Sequence, residues 1–286
     1  TPRGGQPGEL LSQGAVIGAV NASAQAEDVV VCAAGSMPGD LHKLWRTRSP
    51  GGYHMEYGYS CMGYEIAGGL GVKLAAPERE VYVLVGDGSY LMMAQELATA
   101  IQEGIKIIVV LLDNGGHASI HGLSQAVGAE GFATLYRRRR EGRLEGPPVA
   151  VDFTANIQSL GVPAVRARDY AELEQALARA RAASGPAAVV VATALEPQVG
   201  SYESWWDVPV AEVAQTRSAQ AAHAAYAPQR ARERAHLGPP PGSSASPAAP
   251  PADHPVPDHP ALDQPALDQP APGQPTPAAG GLPRRG

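Results

Sequence analysis

The chain has 286 residues and a formal charge of −6, which is long enough for one good-sized core and offers no general attraction to nucleic acid or anionic membrane. No apolar run approaches the length of a transmembrane helix, and Cys32 and Cys61 are too few for a disulfide framework or a zinc site, so a reduced, cytoplasmic protein is expected. Aromatic residues make up 5% while there are 33 glycines and 27 prolines, a composition that predicts a sizeable disordered fraction.

Residues 1–8, opening Thr1-Pro2-Arg3-Gly4-Gly5, are polar and flexible, without a signal-peptide pattern or an initiator methionine, so a fragment is expected. From Glu9 to Ala26 the apolar Leu10, Leu11, Val16, Ile17 and Val20 predict an amphipathic helix. Asp28 to Ala33 is a strand that ends at the small-residue turn Ala34-Gly35-Ser36-Met37, where backbone amides can meet a phosphate as readily as they can form an ordinary loop. Asp40 is placed as the cap of a short helix. A loop from Gly51 to Gly69, dense in Tyr, His, Glu and Gly, runs into a small-residue helix from about Met62 to Ala75. Within it His54 and Glu56 are candidates for acid, base or substrate contact, or plain polar loop residues.

The chain is organised around Val81 to Gly116. Val81 to Val85 is a short β-branched run that reads as a buried strand, broken by Gly86-Asp87-Gly88. A helix follows, striped by Leu91, Ala94, Leu97, Ala98 and Ile101 and stopped by Gly104. A second buried strand, Ile105 to Leu112, leads to Asp113-Asn114-Gly115-Gly116. Such a β-α-β unit is right-handed with parallel strands, so the turns at Asp87 and Asn114 lie side by side at the carboxyl edge of one sheet. Asp87 and Asn114 offer hard side-chain oxygens and Gly116 a carbonyl. With phosphate oxygens these would complete the octahedron of Mg²⁺, while Gly88 and Ser89 offer amides and a hydroxyl to an anion. Taken alone, the Gly-Asp-Gly turn is equally a plain βα corner. A dinucleotide fingerprint fits less well, because the third glycine is missing and Asp87 would repel a pyrophosphate without a metal.

His117 to Arg143 has no clear period. Its Arg137-Arg138-Arg139-Arg140 run reads as a solvated loop or an anion contact. Phe153, Ile157 and Leu160 share a helix face closed by Gly161, and Pro163 to Ala167 is a strand. Asp169 and Glu172 open a helix striped by Leu173, Ala176, Leu177 and Ala180, and Ala187 to Ala192 is the last strand. The order predicts an α/β fold: a doubly wound, mostly parallel sheet of at least five strands over residues 9–226. An aromatic cluster at 201–209 precedes a weak Ala-rich helix from Val210 to about Tyr226. Residues 227–286, rich in Pro and Ala, are expected to be a disordered tail.

The GDG turn, followed after two dozen residues by Asp113-Asn114, resembles the cofactor motif of thiamine-diphosphate enzymes. The resemblance implies that Asp87, Asn114 and the Gly116 carbonyl hold Mg²⁺, and that Gly35 and Ser36 touch the diphosphate together with the Gly86, Gly88 and Ser89 turn. It also implies that Met62, otherwise a core methionine, sits beneath the cofactor and bends it. The usual first Asn of the motif is Asp113 here.

The segments CAAGSMPGDLHKLW, GYHMEYGYSCMGYEIAGGLG, LLDNGGHASIHGLS and VGSYESWWDVPVAEV are similar to the trihydroxycyclohexanedione hydrolases, the ring-opening branch of this family in inositol catabolism. The resemblance spans roughly Glu9 to Tyr226 and implies C–C bond hydrolysis of a small cyclic dione with thiamine diphosphate as electron sink. Family members are about twice this length and carry a pyrimidine-binding domain whose glutamate activates the cofactor, and they assemble as homo-oligomers. The chain is therefore expected to be inactive until a partner chain, or a missing N-terminal half, supplies that domain. Two other readings stand beside this one: an acetolactate-synthase-like carboligase portion, and a non-catalytic fragment or interaction module.

Overall fold

The computed structural model describes residues 10–195, 199–200 and 205–232. Residues 1–8, residues 233–286 of the tail expected at 227–286, and Ser201 to Ser204 of the aromatic cluster lie outside the described residues; the start of that expected tail is instead helical, the last helix running to Arg230.

The described chain runs α1 (Gln13–Ser23), β1 (Val29–Cys32), α2 (Met37–Leu44), β2 (Tyr53–Met55), α3 (Tyr64–Ala75), β3 (Val81–Gly86), α4 (Asp87–Met93), α5 (Glu96–Gln102) and β4 (Ile108–Asp113). It continues with α6 (Ala118–Ala126), α7 (Phe153–Ser159), β5 (Ala164–Ala167), α8 (Tyr170–Ala182), β6 (Ala187–Ala192) and α9 (Arg217–Arg230). The six strands form one sheet in the order β2-β1-β3-β4-β6-β5, every pair parallel. Parallel strands covered on both faces should be apolar along their whole length, and β1, β3, β4 and β6 are buried almost end to end.

The pleat divides those residues between two cores. Val30, Cys32, Tyr82, Leu84, Val110 and Val189 face α1, α2 and α8. Val31, Val83, Val85, Val109, Leu111 and Val190 face α3, α5, Phe153 and Ile157. This three-layer arrangement is the expected doubly wound sheet. The chain leaves β1 toward β2 on one side and returns to β3 on the other, so strand order reverses between β1 and β3. Right-handed crossovers then put α2 and α3 on opposite faces and open a crevice at the carboxyl ends of those strands.

Several elements depart from the sequence reading. The single helix after the GDG turn is two, broken at Ala94-Gln95, and the break rotates its face. Tyr90, Leu97 and Ala100 are buried, whereas Leu91 and Ile101 are 47% and 43% exposed. Asp40 does not cap α2. Pro38 starts the helix a turn earlier, with Ser36 as the cap residue, and Asp40 is buried where its Oδ2 accepts from Gln13 Nε2 at 2.7 Å. Tyr53 to Met55, read as loop, is an edge strand paired with β1. Ala118 to Ala126, read as aperiodic, is helical, although none of its side chains is fully buried. The last helix starts at Thr216, whose hydroxyl caps Ala219 N, rather than at Val210. At α8 the predicted cap is present: Asp169 Oδ1 accepts from Glu172 N at 2.8 Å, while Glu172 reaches back to Arg168 N, and the whole predicted stripe is buried.

Candidate cofactor site

A cavity of about 490 Å³ opens at the switch point. Three turns form its floor: Ala34 to Met37 after β1, Gly86 to Ser89 after β3, and Asn114 and Gly116 after β4. Met62, Tyr57, Ser60, His117, Ile120 and Trp206 form much of its wall. Gly35 turns the chain out of β1 at φ +90°, and Gly63 makes the corner behind Met62 at the same angle, a region that side chains disfavour.

Asp87 is the centre of the floor. It is fully buried, and its carboxylate collects four amides. Oδ1 accepts from Gly88 N at 2.7 Å, and Oδ2 accepts from Asn114, Gly115 and Gly116 N at 3.1, 2.7 and 3.2 Å. Burial pushes its pKa up from 3.8 to about 6, the amides of Gly115 and Gly88 oppose that rise, and the charge of Asp113 adds to it. The β4 turn is thus wrapped around the β3 turn by one carboxylate, which brings Asp87, Asn114 and Gly116 together.

Asn114 Oδ1 is buried and has no hydrogen-bond partner. A buried amide oxygen without a partner is costly and marks a place for a donor or a cation. Among the described residues no group of three His, Cys, Asp or Glu could hold a metal by itself. The donor set of one carboxylate, one amide oxygen and one turn of backbone fits a hard cation that brings further oxygens with its ligand. A Cβ on Gly116 would stand 2.5 Å from Thr134 O, and one on Gly88 would stand 2.5 Å from His117 Nδ1, so both turns are closed to larger residues.

The structure brings Gly35, Ser36, Met62, Gly86, Asp87, Gly88, Ser89, Asn114 and Gly116 to one cavity. It does not bring His54 or Glu56 there. His54 lies on β2, where its Nε2 is 2.7 Å from Tyr64 OH and its ring stacks on that tyrosine. Glu56 is a loop brace. It accepts from Cys61 N at 2.7 Å and Tyr59 N at 3.1 Å, and those amides hold its carboxyl below the usual range. Gln13 and His117 line the cavity without a signal in the sequence, and Trp206 joins them from the aromatic cluster. The predicted Ser89 is held from behind by the buried Glu65. Gln13 opens a helix that is buried on nearly every side, a placement that apolar periodicity does not reveal.

Residues 33–191 match the family model described as "Thiamine pyrophosphate enzyme, C-terminal TPP binding domain". The chain belongs to the thiamine pyrophosphate enzymes. It is 44% identical over 218 residues to 3D-(3,5/4)-trihydroxycyclohexane-1,2-dione hydrolase 2 of Bacillus cereus and, at the same identity, to the 3D-(3,5/4)-trihydroxycyclohexane-1,2-dione hydrolase of Bacillus anthracis. Each match covers 76% of this chain and 34% of the relative, so the chain spans about a third of the length of these curated relatives. Among solved structures it is similar to the thiamine diphosphate-dependent 4-hydroxybenzoylformate decarboxylase of Rhodococcus jostii (TM-score 0.57, 22% identity). It is also similar to the benzoylformate decarboxylase of Polynucleobacter necessarius (TM-score 0.56, 20% identity). Each of these covers 66% of this chain and 34% of the other, and each shows the shared fold of the thiamine pyrophosphate enzymes.

Proposed function

We propose that the chain binds thiamine diphosphate through Mg²⁺ and forms the cofactor-binding portion of an enzyme that hydrolyses a C–C bond of a cyclic dione; its curated relatives are named as trihydroxycyclohexane-1,2-dione hydrolases. The observation that carries the first part is the pairing of Asp87, buried at the junction of two turns, with the partnerless Asn114 Oδ1. Asp87, Asn114 and the Gly116 carbonyl would hold the cation. The backbone of Gly35, Ser36, Gly86, Gly88 and Ser89 would border the diphosphate, and Met62 would support the rings. When bound, the cofactor supplies an electron sink for the carbon whose bond breaks. The protein's own part is to place it, to exclude water at the buried floor and to present the polar wall of Gln13, Tyr57, Ser60 and Ser119 to a hydroxylated substrate.

The reading includes a partner: a pyrimidine-binding domain, from a missing N-terminal half or another chain, in a homo-oligomeric enzyme. Leu91 and Met92 on α4 are exposed, as is Ile120 on α6 in the cavity lining, and they would supply apolar surface for it. Among the described residues no helix is long and apolar enough to cross a membrane, and the exposed, unpaired thiol of Cys61 suits a reducing cytoplasm. Calorimetry of the full chain with thiamine diphosphate, with Mg²⁺ and with a chelator, tests the reading. Binding that needs Mg²⁺ and is lost in Asp87→Asn supports it; equal binding with and without the metal, or none, refutes it. Hydrolysis of the dione is expected only after a pyrimidine-binding partner is added.

A further inference from the structure

One buried carboxylate behind the cavity lining is left unused by the metal reading. Glu65, on the first turn of α3, is 1% exposed. Its Oε1 accepts from Ala34 N at 3.3 Å and from Ser89 Oγ at 2.8 Å; its Oε2 accepts from Gly63 N at 3.2 Å and lies 2.7 Å from the same hydroxyl. Ser89 Oγ in turn accepts from Gly63 N at 2.7 Å. Each donor belongs to a different part of the site: the turn after β1, the corner behind Met62, and the start of α4. No cation pairs with Glu65 among the described residues, so three neutral dipoles hold a buried carboxyl group. Burial pushes its pKa up, and the bonds from Ser89, Ala34 and Gly63 draw it back. Filling this space for packing alone would favour an apolar side chain, which carries no desolvation cost. The carboxylate does what such a residue cannot, accepting from three turns at once.

We infer that Glu65 is a positioning residue that locks the Ala34, Met62–Gly63 and Gly88–Ser89 turns into one cradle, so that the diphosphate end and the ring end of the cofactor are set by the same group. This rests on the thiamine diphosphate reading. It also assigns Ser89: the single proton of its hydroxyl is directed to Glu65, so the side chain braces the turn, and contact with an anion there falls to the backbone.

Two probes separate this role from packing: Mg²⁺ with thiamine diphosphate, which spans the whole cradle, and Mg²⁺ with inorganic pyrophosphate, which meets only its floor. Both are titrated calorimetrically into the full-length wild type, Glu65→Gln and Ser89→Ala, alongside thermal melts. Glu65→Gln keeps the reach of the side chain but turns an NH₂ toward N–H donors. It is expected to weaken thiamine diphosphate about tenfold or more, and pyrophosphate by a clearly smaller factor. Ser89→Ala removes one link and is expected to show the same asymmetry at about threefold. A lower melting temperature with wild-type affinity for both probes would mean packing alone, and equal losses for both probes would deny the coupling; either overturns the inference. Should Glu65→Gln not fold, Ser89→Ala decides, and wild-type affinity in that variant overturns it. Failure of the wild type to bind either probe is a separate result: it removes the thiamine diphosphate reading, and this inference with it.

Discussion

Asp87→Asn should change the way stability depends on pH, and by an amount the structure sets. In the unfolded chain the carboxyl ionises near its ordinary 3.8; in the fold, burial raises that to about 6. Between those values the folded state holds a proton that the unfolded state has released, so wild-type stability is complete below about pH 4 and is lost as pH rises through about 6. At about 1.4 kcal/mol per pH unit the loss is on the order of 3 kcal/mol by pH 7. An asparagine cannot ionise. Its oxygen can keep the three amides of residues 114 to 116, while its NH₂ confronts the Gly88 amide, at a cost of about 1–3 kcal/mol that does not vary with pH. The variant should therefore be the less stable protein near pH 4 and should close or reverse the gap by about pH 7. Urea unfolding of both proteins in a chelator, at half-unit steps over that range, gives the difference curve directly. Parallel curves would refute the reasoning, because they would mean that Asp87 is solvated or already compensated in the fold.

Asn114→Ala removes an oxygen that has no partner in the fold, so the apo protein should change by less than about 1 kcal/mol, while Mg²⁺-dependent cofactor affinity falls at least about tenfold by calorimetry. In Gly116→Ala the new Cβ meets the carbonyl of Thr134 and the backbone of Leu135, neither of which is a flexible side-chain end. A loss of about 1–3 kcal/mol in urea unfolding is expected, with weakened metal-dependent binding. Leu97→Ala should cost about 2–5 kcal/mol, and Leu91→Ala less than about 1 kcal/mol in the isolated chain; similar losses for the two would restore the single unbroken helix that the sequence periodicity predicts.

Where the sequence is legible, each residue's task is local or repeats at a fixed period. The stripe Leu173, Ala176, Leu177 and Ala180 is such a case, as are the β-branched strands and the Asp169 cap. The two turns of the floor were legible for a different reason: the β-α-β rule converts a spacing along the chain into adjacency in space, so Asp87 and Asn114 meet without any knowledge of side chains. Leu91 and Ile101 mislead because periodicity cannot show a helix break. At Ala94-Gln95 the helix face turns, and the residues expected inside face outward. Glu65 and Gln13 were invisible for the opposite reason. Each is polar within an apolar segment, and its value comes from partners far away in sequence: Ala34 and Ser89 for Glu65, Ser36 and Asp40 for Gln13. His54 and Glu56 looked chemical because they are rare residue types in a glycine-rich loop. In the fold they bond Tyr64, Tyr59 and Cys61, and neither lines the cavity.

The proposed site also implies how metal and cofactor should depend on each other. Asp87, Asn114 and Gly116 would provide three oxygens for an ion that wants six in near-octahedral order and sheds water reluctantly. Asp87 already accepts four backbone amides, one at Oδ1 and three at Oδ2, so its remaining capacity for a cation is a single lone-pair direction on Oδ1. Mg²⁺ alone should therefore bind weakly, in the millimolar range or worse. Thiamine diphosphate alone should be weak as well, because its phosphates would approach the charges of Asp87 and Asp113 with nothing between them. Together they remove each other's penalty. Binding linkage requires that the factor by which saturating Mg²⁺ tightens the cofactor equal the factor by which saturating cofactor tightens Mg²⁺. Two calorimetric titrations, one in each order, measure both factors, and a value of at least about 100 is expected. A value near one would mean that the diphosphate is held by the backbone alone and that the buried Asp87 serves only to join the two turns.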